Sequence, residues 1–302
     1  MTDILIIGGG PAGLTAALYA ARAGKSVKVF EKESFGGQIT QAHLVDNFPG
    51  LPGITGMELG DKFCAQAMDA GAEVIFAAVE SLTRNPDGTF HAETEDDPVD
   101  ARAVIFAGGA KPRPLGVERE QELTGQGVSY CALCDGAFFQ GQDIAVVGGG
   151  NTAFSDALVL AETSRSVTLI HRRDGFRAEA TQIRAVEETD NIRLMIPHTV
   201  AELKGDDHLE GLILRHSQTG ELTELAVNAV FVAMGRVPDC SLIAELADLD
   251  PQGFADCGED CSTKTPGLYV AGDCRKKVIR QLTTAVSDGT VAAMAACEYL
   301  NA

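Results

Sequence analysis

Cys131 and Cys134, three positions apart in the stretch Tyr130-Cys131-Ala132-Leu133-Cys134-Asp135-Gly136, are the residues whose types and spacing most directly suggest chemistry. Such a pair can be half of a zinc site, a static staple, or a disulfide that opens and closes during a reaction. Zinc takes four ligands. The other close pair, Cys257 and Cys261, lies far along the chain, and none of the six histidines is near Cys131, so no metal site is expected. The apolar Ala137-Phe138-Phe139 that follows suggests that the motif opens a helix, which would lower a thiol pKa and make a thiolate available. Asp135 is a candidate proton donor or acceptor, and equally a candidate helix-capping carboxylate. Cys257 and Cys261 read as bland members of an acidic loop, and Cys64, Cys240, Cys274 and Cys297 form no pattern.

A redox pair needs a source of electrons, and the flanking sequence offers two nucleotide-binding patterns. The chain opens with an apolar strand, the turn Gly8-x-Gly10-x-x-Gly13 enclosing Pro11 and Ala12, a helix of small residues, and a second apolar strand ending at Glu31. In that context Gly8 permits the tight turn, Gly10 lets backbone approach a pyrophosphate, and Gly13 lets helix and strand pack closely. The helix N-terminus offers free N–H groups to the phosphates, and Glu31 would accept ribose hydroxyls. The design then recurs as Gly148-x-Gly150-x-x-Ala153, enclosing Asn151 and Thr152, and His171 stands 18 positions after Ala153 just as Glu31 stands 18 after Gly13. Where the first copy ends in an acid, the second ends in His171-Arg172-Arg173 and adds Arg177. Guanidinium groups there favour a 2′-phosphate, so the second copy reads as binding NADPH and the first as binding a dinucleotide without that phosphate.

The chain has 302 residues, enough for two domains with cores of their own. Residues 73–106 read as short strands about the turn Asn85-Pro86-Asp87-Gly88, a β-meander, and a similar stretch turns at Thr219-Gly220. The expected fold class is α/β: two Rossmann-like three-layer dinucleotide-binding domains, each with a β-meander, the second inserted into the first. The boundaries expected are 1–113, 114–240 and 241–302, with residues 1–113 and 241–302 forming one domain. With 24 basic and 43 acidic side chains the net charge is −19, which argues against a nucleic-acid partner for want of countercharge. The uncharged run from Ile4 to Ala21 contains Gly8-Gly9-Gly10-Pro11 and has no Lys or Arg before it, so it reads as strand, turn and helix rather than a membrane span or signal peptide. A cytoplasmic setting is expected, in which a short cysteine spacing points to metal or redox chemistry.

Taken with Gly36-Gly37-Gln38, Asn47-Phe48-Pro49-Gly50, HRRDGFR and the tail AGDCRKKVIRQLTTAVSDG, these features make the chain resemble the low-molecular-weight, prokaryotic-type thioredoxin reductases, over nearly its whole length. The position of the cysteine pair just before the second glycine motif is the most specific likeness. The resemblance implies FAD on Gly8, Gly10, Pro11, Ala12, Gly13, Glu31, Gly36, Gly37, Gln38, Asn47, Ala107, Gly108, Asp273, Arg280, Gln281 and Leu282. It implies NADPH on Gly148, Gly150, Asn151, Thr152, Ala153, His171, Arg172, Arg173 and Arg177. It also implies that Cys134 faces the flavin, that Cys131 attacks a thioredoxin disulfide, that Asp135 is the acid, and that the enzyme is a homodimer. Departures from the family pattern are Ser155-Asp156 in place of paired glutamates, Gln126 in place of an arginine before the cysteines, and Leu133 between them. Competing readings are an NADPH-dependent flavin reductase or diaphorase serving ferredoxin, flavodoxin, quinone or a glutaredoxin-like protein, and a non-catalytic flavin redox sensor.

Overall fold

The computed structural model describes every residue except His43. The chain folds as two compact units, Met1–Lys111 with Val237–Ala302, and Pro112–Arg236, so the second is inserted into the first. Both have the three-layer α/β architecture, each built around a parallel sheet.

In the first unit the parallel strands run in the order Glu73–Phe76, Val27–Glu31, Thr2–Ile7, Val99–Phe106 and Leu268–Val270. Alternate residues of each strand go to opposite faces. Ile4, Ile6, Val29 and Ile105 pack with Leu14, Ala17 and Ala20 of the helix Pro11–Arg22 and with Ala292, Ala293 and Ala296 of the helix Leu282–Asn301. Leu5, Ile7, Phe30 and Phe106 face the other way, onto a layer containing Leu82, Phe90 and Ala92 of the meander Val79–Arg84 and Phe90–Thr94. Val99–Phe106 serves both arrangements: its first residues pair antiparallel with Phe90–Thr94, and its last ones pair parallel with Leu268–Val270. The two helices approach closely because Gly289 has no side chain; a Cβ there would lie 2.2 Å from the carbonyl oxygen of Ala12.

The second unit repeats the plan. Its five parallel strands run Ile192–Met195, Ser166–Ile170, Asp143–Val147, Ala229–Val232 and Val128–Ser129. Ile144, Val146, Leu169 and Phe231 meet Phe154, Ala157 and Leu160 of the helix Asn151–Ala161, and Ala145, Val147, Val230 and Val232 meet Leu203, Leu212 and Leu214 of a meander. That meander has three strands, His198–Lys204, Gly211–His216 and Leu222–Ala226. Sequence patterning located the turn between the last two and passed over the first, whose alternation is broken by a register shift between Val200 and Glu202. Among the described residues no helix is long and apolar enough to cross a membrane.

Candidate active site

The predicted nucleotide residues gather where parallel strands end at their C-terminal edge, the edge at which open α/β sheets take ligands. In the first unit Gly8 and Gly10 follow Thr2–Ile7, Glu31 ends Val27–Glu31, Ala107 and Gly108 follow Val99–Phe106, and Asp273 follows Leu268–Val270. Thr2–Ile7 lies between Val27–Glu31 and Val99–Phe106, so its glycine turn sits where the strand order reverses. Gly8 adopts φ of +109°, and a Cβ on it would lie 2.3 Å from the oxygen of Ala107. A Cβ on Gly13 would lie 1.9 Å from the oxygen of Gly8, which is the close packing expected of the third glycine.

Gly10 is different. It has φ of −79°, a value open to any residue, and a Cβ there would find no atom nearer than Gly37 Cα at 3.9 Å. Nothing in the chain itself demands glycine at this position, and the room that its missing side chain leaves suits a pyrophosphate brought up against backbone. Pro11 and Ala12 open the helix, with proline in its first turn where its missing N–H costs nothing. The amide of Gly36 donates to the oxygen of Gly9 at 2.8 Å, which brings Gly36 and Gly37 onto the turn. Gln38 Nε2 donates to the oxygen of Ala110 at 2.7 Å. Asn47 Nδ2 reaches Gln281 Oε1 at 3.5 Å, and Gln281 caps the helix that Leu282 begins. Arg280 stacks on Phe254, 4.0 Å from the ring centroid, and donates from Nε to the oxygen of Asp273 at 3.1 Å. Residues from three stretches of chain, 8–47, 107–108 and 273–282, thus converge on one edge.

The second unit builds the same turn. A Cβ on Gly148 would lie 2.5 Å from the oxygen of Ala233, the counterpart of Ala107, and a Cβ on Gly150 would meet nothing within 4 Å. Asn151, Thr152 and Ala153 open the helix Asn151–Ala161, and Asn151 exchanges hydrogen bonds with the amide and carboxylate of Glu179 at 2.8 and 3.3 Å. The amide of Arg177 donates to the oxygen of Gly149 at 2.8 Å, which fastens the basic loop to the glycine turn. Arg172, Arg173 and Arg177 are exposed, and among the described residues none of the three has an ion-pair partner. Burial, with the three positive charges as smaller contributions, pushes the His171 imidazole below its usual pKa, and a backbone hydrogen bond to Gly175 acts the other way. Ser155 accepts a hydrogen bond from Gln182 at 2.8 Å. Burial raises the carboxyl of Asp156 to about 6, against the opposing charge of Arg236.

The cysteine pair lies at this same edge. Val128–Ser129 is the outermost strand of the second sheet, parallel to Ala229–Val232, and Cys131 follows its C-terminal end as Gly148 follows the end of Asp143–Val147. Two strand spacings separate the two strands, about 10 Å laterally. Cys131 and Cys134 form a disulfide with Cα atoms 5.3 Å apart. The helix expected after the motif is a single turn, Ala132–Asp135, continued by a 3₁₀ turn over Gly136–Phe139. The motif therefore opens a helix, as expected, but of one turn only, with few aligned peptides to make a dipole. Asp135 stands at the N-cap of that 3₁₀ turn but its side chain makes no capping bond there; it accepts from Ser129 Oγ at 2.6 Å. Burial raises the Asp135 pKa, and the Ser129 hydrogen bond works in the opposite direction. Leu133 is 62% exposed and so does not pack inside the unit.

Three features escaped sequence reasoning. Ser129 lies outside the CxxC spacing and carries no signal beyond being two residues upstream. Cys257 and Cys261 are not merely bland members of an acidic loop: Arg275, 5% exposed, donates from Nε to Cys257 Sγ at 3.3 Å and pairs with Asp288 at 2.6 Å, while Cys261 is fully buried. Cys240 and Cys274, 34 residues apart, share one buried cluster in which Cys240 Sγ contacts the Cys274 oxygen at 3.8 Å.

Comparison with known proteins bears on these two matched edges. The family model for pyridine nucleotide-disulphide oxidoreductases matches residues 2–289. The chain is 45% identical over 300 residues to a bifunctional thioredoxin reductase/thioredoxin of Mycobacterium leprae, covering 99% of this chain and 66% of that protein. It is 42% identical over 301 residues to a thioredoxin reductase of Mycolicibacterium smegmatis, covering 99% of this chain and 96% of the relative. The crystal structure of thioredoxin reductase from Streptococcus pyogenes superposes with a TM-score of 0.94 at 38% identity, covering 100% of this chain and 98% of the other. Two glycine turns with room for a pyrophosphate, a disulfide on the edge of the second sheet and a family match over almost the whole length agree: the chain belongs to the pyridine nucleotide-disulphide oxidoreductases, as an enzyme that uses FAD and NADPH.

Proposed function

We propose that this enzyme is a thioredoxin-disulfide reductase, working as a cytoplasmic homodimer, that passes electrons from NADPH through FAD and the Cys131–Cys134 disulfide to an oxidised thioredoxin. The observation that carries the reading is the disulfide at the ligand edge of the sheet that also bears the arginine-ended glycine turn. Full-length relatives with that printed activity support it.

FAD and NADPH, when bound, supply a two-electron path to the disulfide. Gly8, Gly10 and Gly13 with Glu31 would hold the flavin dinucleotide; Gly148 and Gly150 would hold the NADPH pyrophosphate, and Arg172, Arg173 and Arg177 its 2′-phosphate. As the sulfur–sulfur bond takes up the electron pair, the carboxyl of Asp135 protonates Cys131 and Cys134 is left as the thiolate. Burial favours this role by keeping more of Asp135 in its protonated form. In the reverse sense, the Asp135 carboxylate takes the proton from Cys131, whose sulfur attacks the partner's disulfide and displaces one partner thiolate. Cys134 then attacks Cys131 in the mixed disulfide, which restores the Cys131–Cys134 bond and releases the second partner thiolate. Leu133 and Phe138, 62% and 44% exposed, leave apolar surface beside the cysteines for a protein substrate to cover. The cysteine pair disfavours a flavin reductase without a disulfide relay.

Insulin reduction coupled to thioredoxin, driven by NADPH, tests the reading. Cys131→Ser and Cys134→Ser are expected to retain flavin reduction by NADPH and to lose thioredoxin reduction entirely. A double variant that still reduces thioredoxin would overturn the assignment.

A further inference from the structure

Ser129 is 4% exposed and closes the edge strand Val128–Ser129, so its hydroxyl is held in place by the sheet. Three polar neighbours surround that hydroxyl: Asp135 Oδ2 at 2.6 Å, the Cys131 amide at 3.1 Å, and the Cys131 carbonyl oxygen at 3.4 Å. A hydroxyl has one hydrogen to give and two lone pairs. The Cys131 amide must be a donor, so it takes a lone pair. The single hydrogen then goes to one of two acceptors, and the carboxylate is both closer and charged. The Cys131 carbonyl is already served by the amides of Cys134 and Asp135 at 3.2 and 3.1 Å, so it does not need the hydroxyl. Ser129 therefore joins the backbone of one redox cysteine to one oxygen of the neighbouring acid.

We propose, resting on the reading above, that Ser129 is a positioning residue for Asp135: its hydroxyl hydrogen is committed to Oδ2, so the proton that Asp135 exchanges with Cys131 is carried on Oδ1. Without the hydroxyl, the acid proton divides between two oxygens and the carboxyl is free to turn. The Ser129 hydrogen bond also favours the carboxylate form, so its removal raises the Asp135 pKa further. When the disulfide opens, Asp135 acts as an acid, and the rate falls as pH rises through its pKa. Loss of Ser129 Oγ thus slows the step and moves that alkaline limb to higher pH.

The test uses the FAD-loaded enzyme mixed rapidly with NADPH, quenched, and scored for new thiols, at pH values from about 5 to 9. Ser129→Ala is expected to slow disulfide opening about tenfold, the size of one hydrogen bond to a charged group, and to shift the alkaline limb upward. Ser129→Thr should restore both rate and limb. In an Asp135→Asn background Ser129→Ala should cause no further slowing. Equal slowing in both backgrounds, or an unmoved limb, would overturn the proposal. Should Ser129→Ala fail to fold, Ser129→Cys keeps the shape with a weaker donor and is expected to fall between wild type and that loss; a wild-type profile there would count against the proposal equally. Thiol counting involves no partner protein, so a chain with these profiles that nonetheless failed to reduce thioredoxin would sink the proposed function and leave the role of Ser129 standing.

Discussion

The two glycine turns are one structure put to two uses. In both, the first glycine crowds a carbonyl from the next strand, Ala107 in one and Ala233 in the other, and the second glycine faces open space. They differ at the end of the second strand. Glu31 turns inward on its own turn: Oε2 accepts the Gly9 amide at 2.7 Å, and Oε1 accepts the amides of Glu33 at 2.7 Å and Ser34 at 3.3 Å. A carboxylate so held presents a fixed acceptor for hydroxyls and repels a phosphate. His171 fills the corresponding place with a ring: a Cβ on Gly149 would lie 2.2 Å from it, and the ring packs 5.6 Å from that of Phe176. Beyond it the three arginines stand in solvent. On the function proposed above, the shared turn would hold what every dinucleotide has, and the strand end would choose among dinucleotides.

The largest expected break in this comparison is at the third small residue. Gly13→Ala sets a methyl against the Gly8 oxygen and should strip FAD from the purified enzyme and destabilise the first unit by about 1–3 kcal/mol. The reverse change at the matching site, Ala153→Gly, should cost about 1–2 kcal/mol and leave NADPH binding intact, because it loses helix propensity and one buried methyl without any clash. Flavin-to-protein ratio after dialysis and thermal unfolding check both. Next in size is nucleotide choice. Arg172→Gln with Arg173→Gln should raise the KM for NADPH about 10- to 100-fold, as expected from losing one or two hydrogen bonds to a charged group, and leave the KM for NADH unchanged. Equal changes for the two nucleotides would mean that the arginines do not read the 2′-phosphate.

The last effect shows only in the pH dependence of stability and contrasts Asp156 with Ala16, the fully buried residue at the matching place in the first helix. Folding raises the Asp156 pKa from 3.8 to about 6, so the folded chain holds this proton more tightly than the unfolded one. That contribution to stability is complete below the unfolded value and is lost as pH rises through about 6. Asp156→Asn should match wild type near pH 4 and exceed it at pH 8 by up to the roughly 3 kcal/mol that two pKa units represent. Chemical denaturation at the two pH values provides the measurement.

Much of this could be read from the chain alone because the signals are local. A strand, a glycine-rich turn and a helix lie within 31 residues, so Gly8, Gly10, Gly13 and Glu31 announce one another. The cysteine spacing is local too. The meander strand His198–Lys204 was illegible because its register shift spoils the alternation on which strand recognition depends. The helix start at Cys131 was legible, but not that it runs one turn before a 3₁₀ turn, because apolar residues there pack against the sheet, as the Phe139 and Phe231 rings do at 5.8 Å, without needing a continuous helix. Cys257 and Cys261 looked idle because their companions, Arg275 and Asp288, come from elsewhere in the chain.

By itself the sequence determined the two glycine turns, their differing strand ends and the close cysteine pair, since each rests on residue types at short, regular spacing. Only the tertiary structure decided that Cys131 follows an edge strand at the same sheet edge as Gly148, that Ala233 closes the second turn as Ala107 closes the first, and that Ser129 holds Asp135. Those relations depend on which strands lie side by side, and strand order is set by burying both faces of a sheet at once, a condition that no short stretch of sequence can express.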